Sequence, residues 1–176
     1  MQVSAGRWCG DVVLVAYIPA SRYRRTAAER ADQLLSWQRS DKAFFAAGAC
    51  HVLAWAFLQR YPAAGFAPVG LQESGEPVVS HVYVCDGRRA FDHDGWTLED
   101  ELLTVTRAAT AGQAPGTLVE RLALPGELTA FCARHNSRLP SQYAFDPWPR
   151  ALAYIARFEP PDGQGRSLHI PDAPLK

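Results

Sequence analysis

The sequence predicts an α+β fold in which a buried helix carrying Cys50 packs on an antiparallel sheet containing a hairpin over residues 78–92. Three features carry this expectation. The run Cys50 to Tyr61 is apolar on nearly every side and stops before Pro62, as a helix surrounded by core does. Pro77 to Asp92 reads as strand, Asp86-Gly87, strand, and Asp-Gly is among the strongest short hairpin signals. The 176 residues, 48% hydrophobic and 20% charged, suffice for one domain with its own core.

In chain order, Val12 to Tyr17 is β-rich and ends at Pro19, so it reads as a buried strand. Thr26, with Glu29 three residues on, caps a helix whose apolar positions are Ala31, Leu34, Leu35 and Trp37 and which ends near Ser40 or Asp41. Ala43 to Gly48 is a second apolar patch, broken at Gly48 before the Cys50 helix begins. Ala63 to Gly70 reads as a connection. After the hairpin come a short helix over Thr97 to Thr106, a small-residue loop over Ala108 to Thr117, and helices over Gly126 to His135 and Pro147 to Phe158. Residues 1–158 are expected to form the domain and 159–176 an irregular tail rich in Pro, Gly and Asp.

Lys plus Arg and Asp plus Glu are equal at 18 each, so no overall field favours nucleic acid or an anionic membrane surface. The local patch Arg22, Arg24 and Arg25 reads as a solvated turn before a helix. No apolar run is long enough to span a bilayer. The four cysteines form no CxxC pair, and no export signal is evident, so reduced thiols in the cytoplasm are the expectation. No cofactor is expected.

The chemistry follows from the hairpin register. With Asp86-Gly87 as a two-residue loop, Cys85 pairs with Arg88, and counting outward sets Val82 against Phe91 and His81 against Asp92. A carboxylate beside an imidazole fixes its tautomer and orientation, which is the base-and-orienter half of a triad. Cys50 supplies the nucleophile, because a thiol at a helix start sits where backbone amides and the helix dipole stabilise a thiolate. The same amides can receive an oxyanion.

Gly48-Ala49-Cys50-His51-Val52-Leu53-Ala54, followed by His81-Val82-Tyr83-Val84 and the return Ala90-Phe91-Asp92, resembles the papain-like and transglutaminase-like cysteine enzyme superfamily. In that superfamily a helix-initiating Cys packs on a sheet that supplies His and then Asp or Asn. The resemblance spans roughly residues 43–95 and implies a papain-like/transglutaminase-like core with Cys50, His81 and Asp92 as catalytic residues. Gln38 is the candidate for the oxyanion glutamine that papain-like members carry ahead of the Cys.

Each of these residues also has a plainer reading. Cys50 alone would pass for a small core residue, as Cys9 and Cys132 do. Cys85 shares the side-chain parity of His81 and is a rival thiol without a helix terminus. His51 is expected to pack or to bond a carbonyl, since adjacent helix positions do not face each other. Asp94 is the alternative orienter, His93 should point to the other face, and Trp55 and Trp96 read as core. Zinc held by Cys50, His81 and Asp92 is a further alternative.

Two functions therefore stand side by side. One is thiol-dependent acyl transfer on a protein or peptide substrate, covering peptidase, amidase, deamidase and transglutaminase chemistry, with specificity in loops such as Gly65 to Pro77 and Ala108 to Gly116. The other is a binding or structural module that keeps the fold without turnover.

Overall fold

Thr26 opens the first helical segment as its sequence predicts. Its hydroxyl accepts the Glu29 N–H at 3.2 Å, and the Glu29 carboxylate accepts the Thr26 N–H at 2.7 Å. In the computed structural model, which describes residues 16–161, the expected long helix is two short ones, α1 (Ala27–Ala31) and α2 (Gln33–Trp37). Asp32 is the cause: its backbone is extended, and its carboxylate caps the amides of Leu34 and Leu35. An Asp side chain competes with a continuous helix in this way. Val12 to Val15 of the expected first strand lie outside the described residues, and Ala16 and Tyr17 are irregular rather than strand.

Ser40 caps α3 (Asp41–Ala46), and the chain then reverses at Gly48, whose φ of 123° is strained for any residue with a Cβ. That reversal lets α4 (Cys50–Arg60) begin directly on Cys50. The second apolar patch of the sequence is thus mostly α3, and the break expected at Gly48 is present.

β1 (Ala67–Glu73), β2 (Val79–Cys85), β3 (Arg89–Asp92) and β4 (Gly95–Leu98) precede α5 (Glu99–Gln113), β5 (Val119–Ala123), α6 (Leu128–His135) and α7 (Pro147–Ile155). The strands form one antiparallel sheet in the order β4-β3-β2-β1-β5. Two readings of the sequence are corrected here. The end of the Ala63 to Gly70 connection is strand, its signal hidden by Pro68 and Gly70. The helix placed at Thr97 to Thr106 starts later, after β4, and absorbs the expected loop as far as Gln113. Glu99, Asp100 and Glu101 favour its positive end, and Ala108, Ala109 and Ala111 have high helix propensity.

The hairpin register also differs. Val84 faces Phe91 and Cys85 faces Ala90, so the central turn residues are Gly87 and Arg88. Asp86 imposes this by accepting the amides of Arg88 at 3.0 Å and Arg89 at 2.7 Å, while Gly87 takes a left-handed φ of 93°. The pairing is shifted by two residues, and an even shift keeps every side chain on its face. His81 and Asp92 therefore remain on one face, as diagonal rather than direct neighbours.

Alternation across the sheet sorts the core into two clusters. Val82, Val84 and Phe91 pack against Phe45, Val52, Leu53 and Phe57, with Ala151, Tyr154 and Ile155 of α7 completing the cluster. Val69, Leu71, Tyr83, Cys85 and Ala90 pack on the other side against Leu102 and Leu103 of α5.

The β3–β4 turn gives a direct test of this packing. Gly95 has a φ of 90°, and a Cβ there would lie 2.4 Å from the Phe158 ring. Gly95→Ala should lower stability by about 1–3 kcal/mol through backbone strain and overpacking, read as a fall in the urea midpoint at unchanged slope; an unchanged midpoint would refute this packing.

Candidate active site

Cys50 is half-buried at the first position of α4. Ala49 offers no side-chain cap, so the first-turn amides of α4 are left without the partner that most helix starts supply. Burial pushes the thiol up, but the neighbouring imidazoles of His51 and His81 outweigh it and bring the group down to about 5. At neutral pH the resting form is the thiolate.

His81 projects from β2 and Asp92 ends β3. The two side chains meet, His81 Nε2 donating to Asp92 Oδ2 at 2.8 Å with both groups almost fully buried. The other nitrogen of the ring, Nδ1, is buried and has no hydrogen-bond partner of its own among the described residues. The ring nonetheless lies close enough to Cys50 for each group to shift the other's ionisation. Burial pulls the imidazole down, whereas Asp92 and then Cys50 stabilise its charged form, and it is pushed up to about 10.

Asp92 is held by more than His81. Tyr17 O–H donates to Oδ2 at 2.8 Å, Asp94 N–H donates to Oδ1 at 2.8 Å, and His93 Nδ1 stands 3.1 Å from Oδ2. Burial alone would raise this carboxyl, but the charge of His93 and the hydrogen bond and charge of His81 hold it far below the usual carboxylate range. The expected pairing of His81 with Asp92 is thus present, reached through a diagonal contact instead of a direct one.

His51 bonds a carbonyl as expected, its Nε2 lying 2.8 Å from Arg138 O. Contrary to the expectation that it points away, it also interacts with the thiol. Helical side chains lean toward the N-terminus, so this ring comes back over the helix tip. Burial pulls it down, but Cys132 and Cys50 hydrogen bonding raises it to about 9. Two imidazoles, His51 and His81, therefore favour the charged form of the Cys50 thiol.

Other expectations are redistributed. His93 is not on the opposite face: it lies past the end of β3, fully buried, with its ring 5.2 Å from that of His81 and its Nε2 3.0 Å from Ile18 O. Asp94 does not orient His81. Its carboxylate accepts the Ile18 N–H at 2.8 Å and pairs with Lys42. Gln38 is exposed at the end of α2 and does not line the cleft beside Cys50. Cys85 is buried, its thiol raised by burial, and its sulfur accepts the Gly87 N–H at 3.1 Å. Cys132 is buried in the core, Trp55 likewise, and Cys9 lies outside the described residues.

Among the described residues, the set able to hold a cation is His81, Asp92 and His93, whose ligand atoms all lie within 4.8 Å of one another; it does not include Cys50. Sequence reasoning missed Tyr17, which contacts Asp92 from 75 positions away, and Arg138. It also misplaced Arg25, which is half-buried rather than a member of a solvated turn. Both arginines line, with Cys50 and His51, a cleft of about 310 Å³.

The ionisations predict a distinctive reactivity. Alkylation of Cys50 by iodoacetamide should follow thiolate formation with a midpoint near pH 5, and His81→Ala should move that midpoint upward, because the cation that favours the thiolate is gone. Peptide mapping across a pH series checks both; a midpoint near that of an ordinary thiol, about 8.5, would refute the arrangement.

Comparison with protein-family models, with curated proteins and with solved structures found no match to this chain.

Proposed function

We propose that this chain is a thiol-dependent acyl-transfer enzyme built on a papain-like/transglutaminase-like core, with a Cys50-His81-Asp92 triad. The observation that carries the reading is the His81–Asp92 contact of 2.8 Å, made by a ring that also interacts with a depressed helix-tip thiol. Asp92 occupies Nε2, which leaves Nδ1 of the same ring for proton transfer at the sulfur.

In the first half-reaction the Cys50 thiolate attacks the carbonyl carbon of an amide or ester, and an S–C bond forms as the carbonyl oxygen takes the negative charge. The free amides of the first turn of α4 are placed to receive that oxyanion. The C–N or C–O bond then breaks, and the His81 imidazolium gives its proton to the leaving group. In the second half-reaction neutral His81 takes a proton from water or an amine as it attacks the thioester carbonyl; the S–C bond then breaks, and the Cys50 thiolate is restored beside the protonated His81. Asp92 keeps the ring in one tautomer and stabilises its charged form throughout.

The clustering of His81, Asp92 and His93 favours a second reading, a buried cation site. Under it, protein purified without chelator would carry close to one metal ion per chain, and chelation would lower its stability.

An activated ester should acylate the chain on the peptide containing Cys50, and Cys50→Ser should abolish this. Asp92→Asn should lower the deacylation rate by about 10²–10⁴ with little change in ester binding, because the orienting charge is lost. Stopped-flow release of the leaving group, paired with mass analysis of the adduct, measures both. Acylation that survives Cys50→Ser would remove the proposal.

A further inference from the structure

Three of the half-buried arginines among the described residues are neutralised: Arg39 by Glu29, Arg89 by Asp86 and Arg150 by Asp41. Arg25 and Arg138 differ. Both are half-buried, and among the described residues neither forms an ion pair with a carboxylate. Arg138 lies over the Tyr143 ring, 4.3 Å from its centre, a contact that leaves its charge in place.

The two guanidinium groups come from distant parts of the chain, one just before α1 and the other just after α6, yet they converge on one point. A methyl group on Gly48 would lie 3.4 Å from Arg138 Nη2 and 3.4 Å from Arg25 Cζ. Gly48 is two residues from Cys50, and both arginines line the same cleft as the thiol. Like charges brought together in a partly desolvated cleft repel, and burial together with the Arg138 charge lowers the Arg25 pKa. An anion between two planar forks removes that repulsion and is bound by charge-assisted hydrogen bonds.

We propose that Arg25 and Arg138 form a carboxylate subsite, so that the acyl donor attacked by Cys50 carries a free carboxylate close to its scissile bond. The proposal rests on Cys50 being the reactive centre. It narrows the substrate class from amides and esters in general to acidic ones, with the carboxylate seated over Gly48 and the carbonyl presented to the tip of α4.

Paired alkylation of the full chain by iodoacetate and iodoacetamide tests this, since the reagents differ in charge while both form an S–C bond and release iodide. An ordinary thiolate repels iodoacetate. Here Cys50 should react faster with iodoacetate, the rate should saturate, and succinate should compete. Arg25→Gln and Arg138→Gln, on separate elements, should each lower the iodoacetate-to-iodoacetamide rate ratio by about tenfold, and added salt should lower it in the parent. Rapid iodoacetamide labelling without an iodoacetate preference would overturn the subsite and spare the reading of Cys50. Slow labelling by both reagents would overturn the two together. A preference that persists in both variants would assign it to the imidazoles and overturn the subsite, and protection by inorganic phosphate but not by succinate would overturn the carboxylate assignment.

Discussion

The arrangement around Cys50 depends on one buried carboxylate. Asp92 is almost without solvent exposure, and an ionised group in such a place is stable only when its lone pairs are met. Its partners are Tyr17 from the N-terminal segment, His81 from β2, and Asp94 N–H and His93 from the turn after β3. Removing any one partner leaves charge unanswered in the interior, so the carboxylate fixes the relative position of three segments as well as the tautomer of one ring. The ionisations point the same way. A depressed carboxyl stabilises the fold above its unfolded value and ceases to as pH falls through its folded one. The raised imidazole of His81 stabilises it below about 6.5 and ceases to as pH rises through about 10. Across neutral pH both contributions are present.

Sheet parity sets His81 and α4 on opposite faces of the sheet. Val82, Val84 and Phe91 carry α4, whereas His81 and Asp92 belong by alternation with Tyr83, Cys85 and Ala90. The helix lies over the first set, but its tip comes to the beginning of β2, where Val79, Ser80 and Val82 line the cleft beside Cys50. At that end a ring on either face is within reach of the helix start. One turn further along α4, Leu53 and Ala54 belong to the apolar core cluster instead.

What the sequence made legible is what local chemistry controls. The all-round apolar helix, the hairpin signalled by Asp86-Gly87 and the Thr26 capping box each depend on residues a few positions apart, and each is present, the hairpin with its turn centred one residue later. The register was misjudged because Asp86, read as a central turn residue, instead caps the turn from its first position. The His81–Asp92 contact survives because the resulting shift is even. His93 was misassigned by extending strand alternation past Asp92, where β3 ends and the chain turns. Tyr17 and Arg138 reach the site through contacts 75 and 87 positions apart, for which no periodicity or spacing leaves a trace.

Charge placement gives the cleft a sign that the net balance of the chain conceals. The formal net charge is +0, yet the Cys50 thiolate and the Asp92 carboxylate are accompanied by two imidazoles that favour their charged forms and by two arginines without a carboxylate partner among the described residues. Asp92 faces inward and is saturated by its own partners, so its charge contributes least at the cleft mouth. The wall of the cleft beside Cys50 is therefore cationic, and a low-dielectric wall focuses such a field. In the proposed acyl transfer, negative charge would move from sulfur to the carbonyl oxygen, toward the tip of α4. Fixed cations around that path stabilise the charge before and after the move without reorganising, which is the condition for lowering a barrier rather than deepening a resting state.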